Sequence, residues 1–280
     1  MSGPMKRDKF GGAAGSSANY EDRNMKEVFT LAVLTACCLG AAPSEVKAAN
    51  SSIGPQATCG AISSQVFAGG YVVNRTCDGS NISGFGTTLD DAVTNVGEFS
   101  KLLDQGLSCS YGSFQASPGA FNTNFNCFLK NAGGGLARSG QIAGIGTTAT
   151  DAGNNVLEFA KLYAASSGYR CSSAQIQLLN GGFITDFSCA YPNTGGGFGR
   201  SDTISGIGST STDAAQNARG FAEMAASVKR VCRTTSGSIR LNGVIFEVTF
   251  TCSNTRQAIV GYGSTLTSAG RDALMQAQSQ

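Results

Sequence analysis

Apolar residues recur along this chain in two alternating rhythms. The first is helical. From Ala152 it runs through Val156, Phe159, Ala160 and Tyr163, the i, i+4, i+7, i+8, i+11 spacing of one helix face. Ala92, Val96, Phe99 and Leu103 repeat the stripe, as do Ala214, Ala218, Phe221 and Ala225. Each stripe follows a start of the form G-x-G-[ST]-T-x-x-D. Here Thr88, Thr148 and Thr210 are predicted N-caps, with Asp91, Asp151 and Asp213 placed to reach back to the cap N–H. A carboxylate in the first turn also suits the positive end of the helix dipole. The paired glycines permit a tight or left-handed approach to the cap.

The second rhythm has period two. Val244, Phe246, Val248, Phe250 and Cys252 share one strand face, with Glu247, Thr249 and Thr251 on the other. Phe183, Phe187 and Cys189 repeat that face, and so do Phe121, Phe125 and Cys127. Asn180-Gly181, Asn242-Gly243, Pro118-Gly119 and Gly69-Gly70 are the expected turns. One parity is wrong for a straight strand: from Cys171, the apolar residues Ala174, Ile176 and Leu178 fall on odd offsets. The first cysteine of each pair is therefore expected to precede its strand or to sit at a bulge.

Together the rhythms define a repeat. The glycine starts lie at Gly84, Gly144, Gly206 and Gly261, in steps of 60, 62 and 55. The fourth copy has Ser268 for the aspartate and Gln276 for the phenylalanine, the more polar face expected of a capping repeat. The predicted fold class is α+β: four tandem ββα repeats, their antiparallel hairpins pooled into one sheet, helices on one face, and one disulfide per repeat. The expected boundaries are 49–83 for the first hairpin and 84–106 for its helix. The second repeat is placed at 107–168, the third at 169–229 and the fourth at 230–280. A lone unit of ~60 residues buries too little surface to be stable by itself.

Cysteine spacing supplies a staple for each unit. Eight cysteines fall as Cys59/Cys77, Cys109/Cys127, Cys171/Cys189 and Cys232/Cys252, separated by 18, 18, 18 and 20. An even, periodic set in an exported chain reads as a disulfide framework. The other two, Cys37 and Cys38, lie in an apolar run, "VFTLAVLTACCLGAA", that follows Met25-Lys26. Residues 25–48 read as a signal peptide, with Val46 and Ala48 placed for cleavage before Ala49. Residues 1–24 read as a disordered extension. "LTAC" at 34–37 also has the form of a lipoprotein cleavage box, which would lipidate Cys37 and tie the mature protein to a membrane. An uncleaved anchor is the third reading. The localisation expected is secreted or cell envelope, extracellular or periplasmic.

Composition narrows the chemistry. There is no histidine, so Ser-His-Asp catalysis, Cys-His catalysis and His-containing zinc sites are excluded. Charged residues make up 14% against a usual ~25%, and the net charge of +2 offers no basic surface for nucleic acid. The repeated aspartates lack the alternating oxygen ligands of a calcium loop. No cofactor and no metal are expected. The sequons "NRT" at 74–76 and "NIS" at 81–83 matter only in a host that glycosylates.

One asymmetry remains. From second cysteine to glycine start is 7 residues in unit one and 9 in unit four, but 17 in units two and three. The extra residues, "NAGGGLARSGQIA" and "NTGGGFGRSDTIS", place Arg138-Ser139 and Arg200-Ser201 at matched positions. Glycine-rich loops at 133–143 and 195–205 carrying these residues are the candidate binding site, with arginine suited to a carboxylate, sulfate or phosphate. The expected function is a non-enzymatic, exported, disulfide-stabilised repeat protein in binding or structure, with a protein or a surface polymer as partner, self-association included. The alternatives are a secreted inhibitor or effector acting on one protein through its loops, and a carboxylate-dependent enzyme.

Overall fold

Three strands, not two, precede each helix. The computed structural model describes residues 57–130, 136–166, 168–193, 197–253 and 257–280. The expected leader, its cleavage site and Cys37 lie outside these residues. The first unit is β1 (Cys59–Phe67), β2 (Gly70–Cys77), β3 (Ser80–Gly86) and α1 (Leu89–Lys101). The second is β4 (Leu107–Ser117), β5 (Ala120–Lys130), β6 (Leu136–Gly146) and α2 (Ala149–Ala165). The third is β7 (Arg170–Leu179), β8 (Gly182–Ala190), β9 (Asp202–Gly208) and α3 (Ser211–Val228). In the fourth the first strand is broken into β10 (Cys232–Arg233) and β11 (Ile239–Asn242), followed by β12 (Ile245–Cys252), β13 (Ile259–Gly263) and α4 (Leu266–Ser279).

The ββα unit is thus corrected to βββα. Its third strand is built on the G-x-G start itself, which as a sequence looks like a loop. The glycines are there for close approach. A methyl group on Gly84 would lie 2.2 Å from the Ala92 carbonyl oxygen, and one on Gly144 2.4 Å from that of Ala152. Neither glycine has positive φ, so the need is for space and not for a left-handed backbone. The expected single sheet is also corrected. Each unit has its own antiparallel sheet, three-stranded in units one to three and four-stranded in unit four.

Within the units the local expectations hold. The four disulfides close Cys59–Cys77, Cys109–Cys127, Cys171–Cys189 and Cys232–Cys252 between facing strand positions. Each closes a loop worth about 3 kcal/mol in the chain-entropy model. A bulge does cause the odd parity, but Cys109 and Cys171 lie inside their strands and in register, and the shift falls after the cysteine: between Cys59 and Ile62, Tyr111 and Ser113, and Ser172 and Ala174. Pro118-Gly119 and Asn180-Gly181 form the turns expected, while the first and fourth turns fall on Ala68-Gly69 and Gly243-Val244. Gly69, Gly119, Gly181 and Gly243 all take positive φ there, which an L side chain resists. Thr88, Thr148 and Thr210 cap their helices, each accepting from the N–H of the aspartate three residues on.

Units are joined by side chains rather than by a continuous ladder. The phenylalanine of α1, α2 and α3 packs on the middle strand of the next unit. Phe99 stacks on Phe125 at 5.1 Å, Phe159 meets Phe187 at 4.7 Å, and Phe221 stacks on Phe250 at 4.6 Å. All six rings are buried. At the helix starts, Thr150 Oγ1 accepts from the Thr87 N–H at 2.8 Å and donates to Asp91 Oδ2 at 2.8 Å. Thr212 does the same to Thr147 and Asp151, and Thr267 to Ser209 and Asp213. The capping aspartate therefore serves two units. A buried asparagine in α1, α2 and α3 adds a third tie inside each unit: Asn95 accepts from the Phe85 N–H, while Asn155 and Asn217 donate to Ile145 O and Ile207 O.

Candidate functional site

The two matched insertions do not form a pair of loops. Most of the first is strand: β6 begins at Leu136, and Arg138 and Ser139 face Leu129 and Phe128 across the β5–β6 ladder. The second continues its hairpin irregularly, through the Pro192–Phe198 bridge and the Gly199 N–H to Tyr191 O bond at 2.9 Å. The glycines at 133–135, 195 and 196 lie outside the described residues. Arg138 is half-buried, and its guanidinium fills the space that a side chain on Gly168 would need. Arg170 sits beside it in the structure of this junction, its guanidinium across Gly140 and 3.5 Å from the centroid of Phe198. Burial lowers the Arg170 pKa and raises that of Tyr163. Arg138 and Arg170 are therefore parts of the seam between units two and three. Ser139 is exposed and lines a shallow cleft of about 400 Å³ at that seam with Gln141 and Arg170.

Arg200 lies elsewhere. It lines a larger cleft, about 520 Å³, at the junction of units three and four. The other lining side chains come from four segments: Tyr191 after β8, Asp202 and Thr203 of β9, Lys229 and Val231 after α3, and Arg233 with Thr251 and Ser253 of unit four. Ser201, exposed next to Arg200, is not among them. A smaller cleft of about 270 Å³ occupies the first junction, with Arg75, Asn81 and Ser110. The position three residues before the glycine start lines all three clefts, as Asn81, Gln141 and Thr203. The clefts are thus a consequence of the repeat, and their chemistry is set by what each unit places around the same spot.

At the third junction that chemistry is cationic. Arg200, Lys229 and Arg233 line it, with one carboxylate, Asp202, among the lining residues. None of the three cations makes an ion pair or a side-chain hydrogen bond with another described residue. Lys229 is held by the fold: as the α3 C-cap it takes φ 57°, ψ 31°, its N–H bonded to Ala225 O. A lysine in that left-handed region is strained relative to glycine. Its ammonium lies 6.0 Å from the Tyr191 ring, which in turn packs on buried Tyr169 at 4.5 Å and bonds Ala225 O through its hydroxyl. Burial pushes the Tyr169 phenol well above its ordinary range and raises that of Tyr191. Next to the cleft, burial also raises the Asp186 carboxyl, against the opposing hydrogen bond from Ser205 and the charge of Arg233.

Sequence reasoning found Arg200 and missed Lys229, Arg233 and Tyr191. A signal for Arg233 was present: it follows the first cysteine, where the other units have Gly60, Ser110 and Ser172. The two sequons sit at the first junction, where Asn74 accepts from Ser83 Oγ at 2.6 Å and Asn81 from Thr76 Oγ1 at 2.9 Å. No helix among the described residues is long and apolar enough to cross a membrane. Comparison of the chain with protein-family models gives no match, and comparison with curated proteins gives none.

Proposed function

We propose that this is a non-enzymatic, exported binding protein whose third-junction cleft takes an anionic group of its partner, a carboxylate, sulfate or phosphate on a polymer or protein surface. The observation that carries the reading is the convergence of Arg200, Lys229 and Arg233 on one cleft with a single carboxylate among them. Three cations against one lining carboxylate, Asp202, and its neighbour Asp186 leave the cleft net positive, which favours an anion, and arginine adds planar, two-pronged hydrogen bonding. Four disulfides support an oxidising, extracellular setting. The chemistry at the cleft supports binding rather than turnover. With no histidine, no hydroxyl there has an imidazole base to activate it.

The test is titration calorimetry of the oxidised protein with dextran sulfate, with neutral dextran as control. Binding is expected to the sulfated polymer alone, and to weaken as salt rises. The triple variant R200A/K229G/R233A is expected to bind at least about tenfold more weakly, a loss of ~1.4 kcal/mol. Glycine at 229 suits the left-handed backbone, so the variant retains its fold. Equal binding by parent and variant would remove the cleft from the account.

A further inference from the structure

Each contact between units has two sides, and on the first and fourth units one side meets no other unit among the described residues. At three such positions on the first unit and three on the fourth, the residue differs from the repeat. On the middle strand, the phenylalanines that receive the preceding helix are Phe125, Phe187 and Phe250, but the first unit has Arg75, which bonds Gly60 O instead. At the helix start, Thr150, Thr212 and Thr267 donate to the preceding aspartate, but the first unit has Asp90. One turn further on, Gly153, Ala215 and Gly270 let the helix approach the preceding strand. A methyl group on Gly153 would lie 2.3 Å from Phe85 O, yet the first unit has Val93.

The other end mirrors this. Asp91, Asp151 and Asp213 accept from the following unit, and the fourth unit has Ser268. Phe99, Phe159 and Phe221 pack on the following sheet, and the fourth unit has Gln276, turned to Asp272 of its own helix. Between the paired glycines, Phe85, Ile145 and Ile207 are fully buried, whereas Tyr262 is 53% exposed.

We infer that the two outer faces of the array refuse a further unit of the same kind, so that copies of this chain do not join head to tail. The features responsible are an arginine where an aromatic stack is needed, and a carboxylate where a hydroxyl donor is needed. A branched side chain stands where only glycine or alanine fits. On the opposite face the acceptor and the stacking ring are both missing. The two outer faces are thus closed to a like unit by their own side chains. Any self-association uses a different surface.

Light scattering coupled to size exclusion tests this with the full oxidised chain. The parent is expected to stay monomeric as its concentration rises; a concentration-dependent mass that mutation of Arg75 and Gln276 abolishes would overturn the inference. Two variants restore one face each: R75F/D90T/V93G and Y262I/S268D/Q276F. Each alone is expected to be monomeric, because its opposite face stays blocked, and an equimolar mixture to give one-to-one dimers. Retained ellipticity and unreacted thiol assays establish folding. A mixture of folded variants that remains monomeric contradicts the inference. If either set compromises the fold, D90T and S268D alone carry the test in a tandem fusion of two copies. The fusion should melt higher with these changes at its junction than without them, and equal melting would count against the inference.

Discussion

Truncating Phe187 to alanine removes one half of the contact that joins the second unit to the third. The ring is fully buried, and its centroid lies 4.7 Å from that of Phe159 on the preceding helix, at 38° between planes. Transfer of the side chain from water accounts for ~1.5–3 kcal/mol. The space left between β8 and α2 brings the expected loss to about 3–5 kcal/mol. Phe159→Ala should cost a similar amount, since it removes the other half. The pair tests the contact itself: ring pairs contribute ~0.5–1.5 kcal/mol beyond area, so the double variant should lose less than the sum of the singles by about 1 kcal/mol. Gln276→Ala, at the same repeat position in α4, should cost under ~0.5 kcal/mol because no described sheet meets it and its amide bonds only Asp272 of its own helix. Guanidinium unfolding of the oxidised protein, followed by ellipticity and with m held common, measures all four. A loss below about 1 kcal/mol for Phe187→Ala, or additive losses in the double variant, would refute a seam built on this stack.

Two further predictions concern the helix starts and the carboxylates. Gly144→Ala should destabilise by about 1–3 kcal/mol or more, because backbone atoms of α2 occupy the space a methyl group would take. Gly97→Ala, in open space on α1, should instead stabilise by ~0.5–1 kcal/mol, and thermal melts of the two variants compare them directly. Hydrogen bonds from Thr150 and Thr88 hold the Asp91 pKa below its ordinary 3.8, so its contribution is full above the unfolded value and is lost as pH falls through the folded one. Asp186, raised chiefly by burial, has the opposite sign: its contribution is full below the unfolded value and is lost as pH rises through the raised one. Carboxyl-carbon NMR titration should show Asp91 moving upward in Thr150→Val, and Asp186→Asn should remove the second dependence from the stability profile.

What could be read in the sequence is what the backbone decides locally. A threonine cap with a carboxylate three residues on is a contact within one turn, so Thr88, Thr148 and Thr210 were legible from spacing alone. The cysteine pairs were legible because constant spacing and a shared strand face leave one economical pairing. Even the bulges announced themselves, through the odd offsets after Cys171. The third strand was not legible, because two of its inward positions are glycine and the hydrophobic alternation that marks a strand vanishes there. The pooled sheet failed for a related reason: stacking pressure on each unit is relieved by helix and ring contacts such as Phe159 on Phe187, with no need for strand pairing across units.

The candidate site was half visible. Arg200 was found through its insertion, but matching it with Arg138 rested on linear position, and the chain takes the two to different junctions. Lys229 and Arg233 follow a helix and a cysteine, and only the fold of unit four against unit three brings them to Arg200. The ends of the array were legible on one side only. Ser268 and Gln276 break a visible motif, whereas Arg75, Asp90 and Val93 acquire meaning once their missing neighbours are known.

The most direct measurement of the central claim is amide chemical-shift mapping of the isotopically labelled, oxidised protein titrated with inorganic sulfate at low salt. The account predicts saturable shifts centred on Arg200, Thr203, Lys229, Arg233 and Ser253, with the first-junction cleft around Arg75 unmoved. Small, unsaturable shifts shared among all exposed lysines and arginines, or a saturable set elsewhere on the molecule, would contradict it.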